Sequence, residues 1–194
     1  MKFTRIFSGE NFRGTRDYLR TQRKYEIFRT LLYFAISASI FIGGYVSTKS
    51  RMNLLTIVAV LGCLPACKSA VEMIMFLKFK GCSKGNADLI ASHTEGLTGL
   101  YDMIFTSYEK NFNVAHITVK GNTLCGFTED ESFDEQAFYK HLDGILKLEN
   151  YRDTSIKIFK DIRKYTERLD QLRSLEADET HTEGIAATLK SVVL

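Results

Sequence analysis

The chain has 194 residues, 45% hydrophobic and 25% charged, with 13 Gly, one Pro, four Cys, no Trp and a formal net charge of +3. Those values exclude a disordered, a collagen-like and a disulfide-stapled protein, and leave room for one modest domain and a further segment. The charge is divided unevenly: residues 1–84 carry 14 Lys and Arg against four Asp and Glu, and residues 85–194 carry 12 against 19.

Residues 1–29 read as a basic arm. From 15 to 29, Arg16, Arg20, Arg23, Lys24 and Arg29 alternate with Tyr18, Leu19, Tyr25 and Phe28. This is the pattern of a helix lying on anionic lipid headgroups. Cations interleaved with aromatics also suit nucleic acid, but the position directly before an apolar run assigns the phosphates to lipid.

Residues 30–48 contain no charge. At about 1.5 Å per residue they reach roughly 28 Å, close to the hydrocarbon thickness of a bilayer. A second uncharged run covers 52–67, crosses Lys68 and Glu72, and resumes as apolar residues 73–77. Lys68 and Glu72 stand one helical turn apart and can pair, so they read as the level at which a span over 53–77 leaves the lipid. Pro65 should kink this helix near Leu61, while Gly43, Gly44 and Gly62 offer close helix approach without forming a GxxxG motif. Cys63 and Cys67 share a face and read as small packing residues.

Eight Lys and Arg precede the first span, Lys78, Lys80 and Lys84 follow the second, and the connecting Lys49-Ser50-Arg51 holds two. The positive-inside bias then gives a transmembrane hairpin over 30–80 in the cell membrane, with both termini cytoplasmic. Cys82, just beyond it, is a candidate for acylation.

Residues 86–194 read as a cytosolic α+β domain in the order helix, strand, strand, helix, strand, helix, helix. Asn86 caps a helix over 87–108 with Ile90, His93, Leu97, Leu100, Ile104 and Phe105 along one stripe, and Asn111 closes it. Strands over 114–119 and 124–127 flank Gly121 and Asn122, a hairpin turn. Ser132 and Glu135 form a capping box for a helix ending near Leu148, with Phe138, Leu142, Ile145 and Leu146 inward. A strand over 154–159 follows. A helix over 161–175 then carries Ile162, Tyr165, Leu169 and Leu172. Thr180 and Glu183 open a last helix with Ile185, Leu189 and Val192 on one side.

The chain has no Walker loop, G-x-S-x-G, H-E-x-x-H or CxxC, and no cofactor is expected. The string HTEG occurs twice, so His93, Glu95, His181 and Glu183 are candidate metal ligands. Glu129, Asp130 and Glu131 lack the spacing of a calcium loop and read as an acidic helix start open to a basic partner. The order helix, hairpin, helix, strand resembles the core of restriction-endonuclease-like nucleases. That family binds its metal through an Asp and, on the next strand, an acid-x-Lys. The resemblance offers Asp102 and Lys120 for two of these positions and puts Thr118 where the acid belongs; His116, on the same strand, is a further catalytic candidate. An acidic domain is a poor match for a polyanion, so no nucleic-acid partner is expected.

The expectation is therefore a membrane protein that presents an interaction or ligand-binding domain, with anionic lipid and a protein partner, a second copy included, as its contacts. The alternatives are a membrane-tethered hydrolase, nuclease-like with a degenerate site, and a structural subunit of a membrane complex.

Overall fold

A computed structural model describes residues 12–50, 52–108, 110–175 and 179–194. The first eleven residues of the basic arm and Arg51 of the turn between the two long helices lie outside the described residues. The chain divides into two compact units, one containing Leu19–Phe79, the other Lys80–Leu194 with the described part of Glu10–Tyr18.

The first unit is built from α1 (Tyr18–Thr48) and α2 (Leu54–Lys78). The helix predicted to lie flat ahead of the first span is instead the opening of α1. No Gly or Pro interrupts 18–42, and Gln22 and Arg29 bridge to Glu26 along the helix. At the far end Lys49 enters the left-handed region (φ 50°) and returns its N–H to the Tyr45 carbonyl at 2.8 Å. Asn53 caps α2 by accepting from Thr56 N (2.8 Å), and its Nδ2 donates to Thr48 Oγ1 (2.8 Å). Pro65 lies inside α2 without ending it.

The seam between the helices repeats every seven residues. Arg23 Nε donates to the Phe76 carbonyl (3.2 Å), and Thr30 and Ser69 share a hydroxyl hydrogen bond of 2.9 Å. A Cβ on Gly62 would stand 2.9 Å from Ser37 Oγ, and one on Gly44 only 2.7 Å from Leu55 Cβ. Residues 23, 30, 37 and 44 thus meet 76, 69, 62 and 55, the period of a left-handed antiparallel pair with small residues inside. Gly43, also predicted to allow close approach, faces open space. The large side chains point outward. Leu31, Ile42, Val46, Ile57, Val60, Leu64 and Ile74 are each more than half exposed, and 17% of the apolar window in each helix is buried.

The second unit is an α+β fold in the order α3 (Lys84–His93), β1 (Thr98–Thr106), β2 (Asn111–Lys120), β3 (Thr123–Phe127), α4 (Glu135–Leu148), β4 (Ser155–Phe159), α5 (Ile162–Ser174), α6 (Thr182–Val192). Strands β1, β2 and β3 form an antiparallel meander, and the crossover through α4 lays β4 parallel to β3 in a sheet ordered 1-2-3-4. Helices α4 and α6 cover one face, burying Phe138, Leu142, Leu146, Ile185 and Leu189 against Met103, Phe105, Val114 and Ile117. Helices α3 and α5 cover the other, with Ile90, Tyr165, Leu169 and Leu172 against Cys125 and Phe127.

The predicted helix over 87–108 is corrected to a short helix and an additional strand. Gly96, at φ 77°, follows α3, and Leu100, Met103, Ile104 and Phe105 belong to β1, a strand covered on both sides. Such a strand loses the in–out alternation and mimics a helical stripe. Asn111 opens β2 and closes no helix. Three caps also differ. Ser83, not Asn86, caps α3, and Asp134, not Ser132, caps α4 through Ala137 N (3.0 Å). The N-cap of α6 is His181, which makes no side-chain capping bond, so the box of Thr180 and Glu183 does not form the cap.

Two neighbouring strands share one irregularity. Leu100 and Met103 both face the α4/α6 side, as do Val114 and Ile117. Between them, Tyr101 and Ala115 pack in the α3/α5 cluster, while Asp102 and His116 bond to Cys82 and Tyr165 on that side. Each strand carries one extra residue, so pairing resumes unshifted at Met103 and Val114. Asp102 takes the strain, at φ 55°. The free edge of β1 is covered twice: Tyr101 N donates to the Gly14 carbonyl (2.8 Å), and Leu194 N to the Ile104 carbonyl (3.1 Å).

Candidate functional site

The irregular stretch of sheet holds a fully buried polar network. His116 Nδ1 lies 2.7 Å from Tyr165 Oη, which is 3.1 Å from Thr118 Oγ1 and 3.4 Å from the Cys125 carbonyl. Burial pushes the imidazole pKa down to about 3 and pushes the Tyr165 hydroxyl well up. His116 is therefore neutral at ordinary pH. Its Nε2 makes no hydrogen bond among the described residues and abuts Gly99, where a Cβ would stand 2.7 Å away. The side chain is fully enclosed, so this network fastens β2 to α5 and presents nothing to a substrate.

The remaining catalytic candidates are each held elsewhere. Asp102 Oδ1 accepts from Cys82 N (2.8 Å), and Lys120 Nζ donates to the Arg173 carbonyl (3.3 Å). Of the positions that the nuclease resemblance offers, Asp102 and Lys120 are thus each held by a backbone group, and Thr118 is bonded to Tyr165. The two HTEG strings separate as well. His93 Nδ1 bonds both oxygens of Asp170 (3.0 and 2.9 Å) between α3 and α5, while His181 lies edge-on to Tyr151, 5.8 Å between centroids, by α6. Glu95 and Glu183 are exposed. Among the described residues no three His, Cys, Asp or Glu side chains gather as a metal site. One string ends a helix and the other begins one, on opposite faces of the sheet.

The acidic stretch is partly occupied. Glu129 Oε1 accepts from Ser83 N (3.0 Å) and Asn86 Nδ2 (2.7 Å), steadying the start of α3. Asp130 Oδ1 accepts from Ser132 N and Oγ (2.9 and 2.6 Å), and the Glu131 side chain is exposed. Cys82 is buried at 6% exposure, which removes it as an acylation candidate.

Arg16, Arg23 and Arg29, predicted to bind lipid, have protein partners. Arg16 pairs with Asp88. Arg23 donates to the Phe76 and Phe79 carbonyls. Arg29 bridges Glu26 and Glu72 and donates from Nε to Ser69 Oγ (3.3 Å). Arg20 is half-buried and Lys24 exposed. Beside Arg29, a concavity of about 240 Å³ is lined by Arg29, Tyr33, Pro65, Lys68, Ser69 and Glu72.

The α+β unit offers a larger cavity, about 400 Å³, among Ser107, Tyr108, Lys110, Phe112, Lys140 and His141. Lys110 pairs with Asp134 at 2.8 Å, holding that carboxyl below its usual range, and burial lowers the pKa of His141, which stacks on Phe112. Sequence reasoning missed this grouping because the end of β1, the start of β2 and the middle of α4 meet only through the fold. No family model matches the chain, and no curated protein or solved structure aligns with it.

Proposed function

We propose that the chain is a two-pass membrane protein whose hairpin anchors an α+β binding domain at the cytoplasmic face of the cell membrane. The observation that carries this reading is the exposure of the hairpin. A soluble protein buries the apolar face of its helices, whereas here two helices of 31 and 25 residues bury 17% of their apolar windows and turn Leu, Ile and Val outward. The excess of Lys and Arg on both flanks supports cytoplasmic termini. Binding is favoured over hydrolysis because the candidate catalytic groups are each committed to another bond, while a cavity of about 400 Å³ lies beside Lys140 and His141.

The test is topological. A reporter active only in the cytosol should work after Lys84 and after Leu194 and fail between residues 49 and 51. The full chain should stay in membranes washed at alkaline pH and leave them only with detergent. Activity in the turn, or release without detergent, overturns the reading.

A further inference from the structure

The concavity beside Arg29 lies where the uncharged stretches of both helices stop. Arg29 is the last charge before residues 30–48, and Lys68 is the first after 52–67. If the hairpin spans the bilayer, the reading on which this inference rests, that level is where hydrocarbon gives way to phosphates. Exposed Leu64 (67%) and Leu32 (37%) lie one turn or less along the chain from Lys68 and Arg29 and give acyl chains a surface there.

The charges at this level select among headgroups. Arg29 is committed to Glu26 and Glu72. Counting Glu26, which pairs with Arg29 from outside the lining, this ion-pair group holds two cations and two carboxylates. The members that reach the rim are Lys68 Nζ, on a side chain 81% exposed, and Glu72 Oε1, 3.9 Å away. At that separation they form an ion pair without a hydrogen bond. A headgroup with a phosphate and a primary ammonium completes both, the phosphate accepting from Lys68 and the ammonium donating to Glu72 Oε1. A quaternary choline has no N–H to donate, and a glycerol headgroup has no cation.

We propose that the concavity lined by Arg29, Tyr33, Lys68, Ser69 and Glu72 is a headgroup site for a glycerophospholipid bearing a primary ammonium, with phosphatidylethanolamine as its probe.

The experiment is native mass spectrometry of the delipidated full chain in detergent, offered equal amounts of phosphatidylethanolamine, phosphatidylcholine and phosphatidylglycerol. The parent should retain phosphatidylethanolamine on the order of 5-fold over each of the others, the worth of one partly exposed charge-assisted contact. Lys68→Gln, which removes no short bond, should keep the parent's thermal unfolding and lose the preference. Equal retention of the three lipids, preferential retention of phosphatidylglycerol, or a preference that survives Lys68→Gln overturns the site. A chain that leaves alkaline-washed membranes without detergent overturns the anchor as well; a chain that stays but shows no preference overturns the lipid site alone.

Discussion

The two units distribute their side chains in opposite ways. In the hairpin the middle of the seam is made of Thr30, Ser37, Gly44, Gly62 and Ser69, and bulky residues such as Leu31, Ile42, Ile57 and Leu64 lie outside. In the α+β unit Phe105, Phe138, Leu142 and Tyr165 are sealed inside and, Asp102 apart, none of its described Asp, Glu, Lys or Arg residues is buried. The difference teaches what drives each to form. Burial of large apolar groups accounts for the second. In the first, on the membrane reading proposed above, close backbone approach and hydroxyl contacts hold the helices, because lipid takes the apolar surface as readily as a partner helix would.

The contrast is broken most directly by truncation. Phe138→Ala should destabilise the α+β unit by about 3–5 kcal/mol, since the ring has no exposed surface and packs on Phe105, Phe112 and Phe133. Leu64→Ala in α2, at 67% exposure, should leave chemical denaturation of the full chain in micelles unchanged. A comparable loss at both positions would mean that the hairpin hides its apolar surface after all.

The next effect is confined to the α+β unit. His116 has a folded pKa of about 3 against an ordinary 6.5. The unfolded chain therefore takes up a proton below pH 6.5 that the folded one refuses. Stability contributed by this group is complete above pH 6.5 and is lost as the pH falls toward 3, at about 1.4 kcal/mol per unit. Denaturation at pH 6.5 and 4.5 should differ by about 2–3 kcal/mol. His141, also lowered, adds in the same direction, while Asp134, held below its usual range, acts only at lower pH. His116→Asn should flatten most of the slope; a slope unchanged in that variant would place its origin elsewhere.

The third test reverses the size change. Gly62→Val puts branched carbon against Ser37 Oγ and should weaken the hairpin by about 1–3 kcal/mol, whereas Gly43→Val enters open space and should be tolerated. Steric trapping of the full chain in bicelles separates the two.

How much of this was legible follows from which forces act locally. The uncharged runs mark both long helices because a charge is excluded from each position separately. The heptad seam is not marked, since Thr30, Ser37 and Gly44 are unremarkable singly and acquire meaning only against Ser69, Gly62 and Leu55. Strand β1 was hidden because it is covered on both faces, and Gly96, which marks the break before it, was outweighed by a stripe matching the helical period. Asp102 was singled out for chemistry and is committed to structure, bound to Cys82 N in a strained strand. The sequence presents Tyr165 only as a core position, and its hydroxyl partners come from two strands 40 to 49 residues upstream, a pairing that no local pattern encodes.

The smallest effect concerns the stretch ahead of α1 that belongs with the α+β unit. Gly14 lays its carbonyl against the β1 edge, and Arg16 pairs with Asp88, both side chains being exposed. An exposed pair adds little and is screened within about 8 Å at physiological salt. Global denaturation should therefore not register Arg16→Gln. Hydrogen exchange at the Tyr101 amide should, because that N–H is sheltered by the Gly14 carbonyl alone. Its exchange should quicken about twofold in Arg16→Gln at low salt, and by a similar factor in the parent at 0.5 M salt, roughly the worth of one surface ion pair. The Leu194 amide, bonded to the Ile104 carbonyl at the other end of the same edge, should not change and serves as the internal control. If both amides quicken together, the edge opens as one piece and the Arg16 pair has no separate part in closing it. If neither responds to charge or salt, the Gly14 bridge holds by its backbone bond, and the arm's cations remain available to other partners.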